Sequence, residues 1–153
     1  MKNFLIFTIM FFVVQNSFCQ VPTHSCNQPG ALLSVKNSYR SHLEYIVFTF
    51  VDPYNYKGEV HKINDASFIQ MPLNHSNKMN GKEFYKIIFP NTTVICDTKN
   101  YTVVPQKLVR DVKLFEQKGG SISYIIGLTK GAKITSHTVT NYHGFQIIKL
   151  RIE

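Results

Sequence analysis

Six histidines, nine acidic residues and three cysteines are the groups from which a reactive centre would be built. His24, His42, His61, His75, His137 and His143 show no two-histidine helical motif, and no cysteine pair has zinc-knuckle spacing. His137 and His143 could meet across a turn, although capping or exposed histidines account for them equally simply. A calcium loop needs clustered oxygen ligands, and no D-x-D run occurs. No serine stands in a G-x-S-x-G elbow, and no glycine-rich loop joins a strand to a helix. A glycosidase needs two carboxylates flanking a cleft. Glu44 with Asp111 is such a pair in name only, since any β domain contains one. The chemistry left to the chain is binding, with no cofactor and no metal. Tyr54 and Tyr56 could stack on sugar rings, or they anchor a loop. Arg110, Lys113 and Lys118 could form a basic strip, or they belong to a solvated strand face.

The elements that must position these groups are strands. Leu108 to Thr129 gives the clearest signal. Ile122, Tyr124, Ile126 and Leu128 alternate with polar residues, which is the period of a strand buried on one face. Val112 and Leu114 alternate likewise in a first arm, and Gly119-Gly120 supplies the positive φ of a tight hairpin. Phe115 interrupts the alternation and predicts a bulge. Gly127 predicts a second bulge or a close backbone approach. His42 to Val51 is apolar on both faces, as in a central strand. Further strands are expected over Glu59–Asn64, Glu83–Phe89, Thr92–Cys96, Ala132–Thr138 and Phe145–Ile152. Phe68–Leu73 is either a short strand or a packed loop. In the last strand Ile148, Leu150 and Ile152 face in while Lys149 and Arg151 face out. Asn74–Lys82, Asp97–Gln106 and Asn141–Gly144 read as loops or turns. About eight short strands with no amphipathic helix argue for an all-β chain, a single-domain antiparallel β-sandwich.

The organisation along the chain is a leader, a lead-in and one domain. Lys2 precedes eleven uncharged, mostly apolar residues from Phe4 to Val14, too few to span a bilayer as a helix. That pattern fits a secretory signal over residues 1–19, cut before Gln20. Lipidation of Cys19 is the rival, but Asn16 and Phe18 stand where Leu and a small residue are usual. No transmembrane segment is expected. Residues 20–41, with Pro22, Pro29 and Gly30, read as an exposed lead-in, and 42–153 as the folded domain. After cleavage Cys26 and Cys96 remain. In a secreted or periplasmic setting they form a disulfide or stay as two free thiols. A bridge would contribute about 3–4 kcal/mol through loop entropy.

The formal net charge is +8, and +7 once Lys2 leaves with the leader. That surplus favours anionic partners such as wall polymers or acidic glycans, or it is an ordinary basic surface. The cations are scattered, without the clustered stripe of a nucleic-acid binder, so nucleic acid is not expected. Sequons at Asn74, Asn91 and Asn100 bear on the surface only in a eukaryotic secretory route.

Taken in order, EYIVFTF (Glu44–Phe50), PYNYKGEV (Pro53–Val60), GKEFYKIIF (Gly81–Phe89), LVRDVKL (Leu108–Leu114), GGSISYIIGL (Gly119–Leu128) and the final FQIIKLRI resemble the strand series of AMIN-like domains, small secreted or envelope-linked bacterial β domains. The series covers about residues 42–152. Tyr45 replaces the family's opening Arg, Lys149 stands where an acid is usual, and the cysteine pair lies outside the pattern. The resemblance implies a β-sandwich without catalysis that attaches to cell-wall material. The function expected is therefore a secreted, non-catalytic binding module for peptidoglycan or an anionic glycan. The alternative is a protein-interaction module, an envelope assembly factor or inhibitor that engages an envelope protein.

Overall fold

The structure, a computed structural model, describes residues 26–64, 79–92, 94–96, 101–102 and 104–153. The leader over 1–19, its cleavage site, the start of the lead-in, the Phe68–Leu73 segment and the sequons at Asn74 and Asn100 lie outside those residues. Nine strands occur in chain order: β1 (Leu32–Arg40), β2 (Leu43–Val51), β3 (Glu59–Ile63), β4 (Glu83–Phe89), β5 (Tyr101–Thr102), β6 (Val109–Lys118), β7 (Ser121–Leu128), β8 (Ile134–Tyr142) and β9 (Phe145–Ile152). They form a five-stranded sheet, β5-β1-β2-β9-β8, packed on a four-stranded sheet, β3-β4-β7-β6. Every pairing is antiparallel except the two-residue β5, which runs parallel to β1. The chain is an antiparallel β-sandwich. Its first two and last two strands build one sheet, with the short β5 at the edge, and β3, β4, β6 and β7 build the other.

Strict alternation forms the five-stranded layer. Along β2, Glu44, Ile46, Phe48 and Phe50 are buried and the residues between them are partly exposed. On β9, Gln146, Ile148, Leu150 and Ile152 point inward and Lys149 outward, as the period of two requires. Between the sheets the aromatic rings interlock. Phe48 and Phe89 lie 4.6 Å apart, Phe50 and Phe89 5.1 Å, and Phe48 and Tyr124 5.4 Å, in tilted or edge arrangements that suit the ring quadrupoles.

In the four-stranded layer, β7 departs from one-face burial, because Ser123 and Ile125 are buried as well. On that outer side Met79, Phe84 and Ile125 form a small separate core with Ile63 and Phe115. The Lys86 ammonium lies 4.8 Å from the Phe115 ring centre. Asn80 crosses here, its N–H donating to Asp111 Oδ2 at 3.1 Å. Its carbonyl comes so close that a Cβ on Gly127 would lie 2.0 Å away. Gly127 is thus a close-approach glycine. Register shifts fall at Val109/Asp111, opposite Gly127, and at Leu114/Glu116, making Arg110 and Phe115 the extra residues of two bulges.

Leu32–Arg40 is a strand, which corrects the reading of 20–41 as an exposed lead-in. Leu32 and Val35 are fully enclosed and β1 pairs with β2 along its length. Two features hid it. A bulge between Leu32 and Ser34 breaks the alternation, and the second half carries polar residues because its outer face meets solvent. Its far edge is occupied by residues 94–96, where Leu32 N–H donates to Val94 O and Cys96 N–H to Leu32 O, both at 2.9 Å. The Cys26–Cys96 disulfide, with Cα atoms 5.7 Å apart, locks that arrangement.

Three hairpins turn on two residues that both have positive φ: Ser41-His42, Gly119-Gly120 and His143-Gly144. That geometry matches the twist of paired strands. Ser41 (φ 51°) and His42 (φ 66°) adopt it without a glycine. His42→Gly removes a Cβ from a left-handed position and should stabilise the fold by about 1–2 kcal/mol in urea titration, with the slope unchanged.

Among the described residues Glu44 is the buried acid, 1% exposed. Its carboxylate accepts from Leu108 N–H (2.8 and 3.0 Å) and from Val109 N–H (2.8 Å), at the entry to β6 in the opposite sheet. Glu44→Gln turns one acceptor oxygen into a donor facing those amides. It should cost about 2–3 kcal/mol in the same titration.

Candidate functional site

Of the residues expected to bind ligand, the two tyrosines are the clearest correction. Tyr54 is 3% exposed and stacks on Phe50, with ring centres 4.3 Å apart. Its hydroxyl donates to Pro90 O at 2.7 Å and accepts from Thr92 Oγ1 at 3.4 Å. Tyr56 packs on Phe89 and on the His137 ring, and its hydroxyl is buried without a partner. Burial raises both phenols, Tyr56 to about 12, with the neighbouring Tyr54 adding to the effect. The Tyr54 ring is enclosed and offers no face to a sugar, and Tyr56 is half-buried against Phe89 and His137. They anchor the connection between β2 and β3, because a large apolar ring there gains more from the core than from water.

The hairpin cations do not form a strip. Arg110 is the bulge residue at one end of β6 and lies in a shallow pocket with Asn80, Lys82, Thr129 and Lys130. Lys118 ends the same strand, roughly 25 Å away at strand rise. Lys113, between them, is paired with Asp111 at 3.0 Å. On the same sheet Lys62 meets Glu83 at 2.9 Å, on the side of the strands that carries the main core, and His61 Nε2 lies 2.8 Å from Glu59 on the outer side, while Lys86, Arg110 and Lys118 have no ion pair among the described residues. Glu44 and Asp111 occupy opposite sides of the four-stranded sheet and share no cleft. His137 and His143 are not brought together either, since His137 packs on Tyr56 and His143 on Tyr142. Among the described residues no group of three His, Cys, Asp or Glu side chains could hold a metal ion.

The outer face of the five-stranded sheet is different. Cross-strand register places its side chains in rows. One row reads Ser38, Tyr45, Arg151, Ser136. The next reads Lys36, Val47, Lys149, Thr138. Then come Ser34, Thr49, Ile147, Thr140, and at the far end Val51, Phe145, Tyr142. Neighbouring strands lie about 4.8 Å apart and successive rows about 7 Å. Lys36 and Lys149 are therefore about 10 Å from each other, and Lys149 is about 7 Å from Arg151. Ser38, Arg40, Tyr45, Ser136, Thr138, Lys149 and Arg151 line a depression of about 310 Å³.

Arg151 pairs with Glu153, and its Nε is buried without a partner. Among the described residues no ion pair engages Lys36, Arg40 or Lys149. At the other end of the face Tyr142 (61% exposed) and Phe145 (40%) are direct cross-strand partners, about 13 Å along β9 from Lys149. The face thus offers cations, hydroxyls and exposed rings on a rigid, open surface. Such a surface suits an extended ligand lying across it better than a small molecule that must be enclosed.

The signal for this face was present in the spacing. Lys149 and Arg151 are two apart on β9, and Lys36, Ser38 and Arg40 are two apart on β1. The second set went unread because its strand was taken for a lead-in. That β1 and β9 flank β2 on one surface is tertiary information.

Comparison with protein-family models, with curated proteins and with solved structures gave no match. Among the described residues no helix is long and apolar enough to cross a membrane.

The paired charges of the other sheet give a pH signature. The hydrogen bond from Lys62 holds the Glu83 carboxyl below its ordinary value of 4.5, helped by Gly131 N–H. The same bond raises Lys62 above 10.5. A lowered carboxylate contributes stability that is present above its unfolded value and lost as pH falls through the folded one. The thermal-midpoint gap between wild type and Glu83→Gln should therefore be open at neutral pH. It should close below about pH 4.5, and on the alkaline side above 10.5.

Proposed function

We propose that this chain is a non-catalytic, extracytoplasmic module that binds an anionic polymer, a cell-wall or surface glycan bearing carboxylate, phosphate or sulfate. The ligand lies across the outer face of the five-stranded sheet. One observation carries this reading: Lys36, Arg40 and Lys149 stand without ion-pair partners among the described residues, on one open face shared with Arg151. Arginine's planar fork matches an oxyanion bidentately, and lysine supplies a point charge. Tyr142 and Phe145 provide flat apolar surface for a sugar ring. A net charge of +7 after loss of the leader draws a polyanion from a distance.

The Cys26–Cys96 disulfide suits an oxidising compartment, in keeping with the leader read over 1–19. The AMIN-like resemblance points to the same class of function. At Lys149, where that family usually has an acid, this chain places a cation of the proposed binding face.

Retention of the purified protein on peptidoglycan sacculi and on an immobilised acidic polysaccharide, at low and high salt, tests the reading. Lys36→Glu with Lys149→Glu should weaken retention by roughly tenfold or more at low salt, and wild-type retention should fall as salt rises. Arg110→Glu with Lys118→Glu should leave it nearly unchanged. Loss of retention in the hairpin pair, with the sheet pair unaffected, would place the ligand on the wrong sheet for this proposal.

A further inference from the structure

The sandwich has four sheet edges, and three are blunted. At β5 the strand is two residues long, beside the segment locked by the disulfide. β3 is five residues long and carries Glu59, His61 and Lys62. β6 is interrupted by two bulges and carries Arg110, Asp111, Lys113, Glu116 and Lys118. Short strands, bulges and charges are the usual means by which a sheet edge avoids pairing with another chain.

β8 has little of this protection. It is nine residues long, ITSHTVTNY, with no Lys, Arg, Asp, Glu or Pro. Its bulge falls at the start, between Ile134 and Ser136, so the remainder is regular. Among the described residues it ends the five-stranded sheet, with β9 on one side only. It is also exposed on both faces. Val139, which shares the inward side with Ile148, is 44% exposed because the four-stranded sheet does not extend beneath β8.

We infer that β8 is a self-association edge, pairing antiparallel with β8 of a second copy of this chain. Charge selects that occupant. Two molecules of net charge +8 repel, and the other long edge, β6, would bring lysines against lysines. β8 meets its own copy with no charge on either side. The strand is also self-complementary. A two-fold axis at Thr138 sets Val139 opposite the partner's His137 and Ser136 opposite the partner's Thr140. Each overhanging Val139 would then be covered by the other copy. The interface is isologous, and because the remaining edges are blunted it closes at two copies.

The two five-stranded sheets become one, and their outer faces become continuous. The two Lys149 residues lie three strand spacings apart, about 14 Å. That exceeds the screening length of about 8 Å at physiological salt, so they do not oppose pairing. The inference stands independently of the ligand proposed above.

Sedimentation equilibrium of the purified full chain over a wide concentration range is expected to show a monomer–dimer equilibrium. Val139→Lys and Val139→Glu, at an exposed position away from the basic face, should each fold with a wild-type melt. Each should raise the dimer dissociation constant by roughly tenfold or more through like-charge apposition. An equimolar mixture of the two variants should recover dimer. A wild type that stays monomeric throughout would overturn the inference, as would a Val139→Lys protein that dimerises like wild type. So would a mixture of the two folded variants that remains monomeric. Amide exchange closes the remaining route: β8 amides protected in a monomer would mean that another part of the chain covers the edge.

Discussion

The carboxylate of Glu44 sits on the inner side of β2, in line with Ile46, Phe48 and Phe50, and it ties the two sheets by hydrogen bonds rather than by packing. Phe48, Phe50 and Phe89 hold the layers together, yet side-chain packing alone tolerates sliding. An acceptor that takes N–H groups from two consecutive residues of the opposite layer does not. It fixes where β6 begins, beside the bulge that makes Arg110 an extra residue, while the Gly119-Gly120 turn sets the register in which β6 meets β7. Burial of this polar side chain is tolerable because both of its oxygens accept backbone hydrogen bonds.

The opposite end of the sandwich is held covalently. The Cys26–Cys96 bridge fixes residues 94–96 beside Leu32, and this allows a strand as polar as β1 to complete the sheet. With β1 in place, Lys36 and Arg40 join Lys149 and Arg151 on one surface. The pairing of β1 with β2 sets that face, and the disulfide braces the far side of β1 at its first residues. The four-stranded sheet has a different character: Lys62 and Lys113 are paired with acids, and part of its outer side is covered by a second small core. One layer of the sandwich is stabilised on both sides and the other is left open on one side, which is the asymmetry expected of a scaffold that presents a surface.

Much of the fold was legible in the residues. The β6–β7 hairpin, its Gly119-Gly120 turn, the bulge at Phe115 and the close approach at Gly127 each have a local cause: a period of two and its interruptions, or a missing Cβ. The site was not legible in the same way. Tyr54 and Tyr56 lie in a turn-rich, polar stretch that gives no sign of the aromatic core beneath it. Arg110, Lys113 and Lys118 are neighbours in sequence, but two bulges and an ion pair separate them in space. Binding surfaces join residues from distant strands, and local pattern does not say which strands lie side by side.

By itself, then, the sequence determined that this chain is a β-sandwich, where most of its strands run and which side of each faces inward. Those properties depend on alternation and on backbone stereochemistry, which act over a few residues. Strand order, which put β1 and β9 on either side of β2, and layer overlap, which left β8 uncovered, were decided by the tertiary structure. Both depend on which apolar faces meet once the chain has folded, and on one carboxylate and one disulfide that join residues more than sixty positions apart.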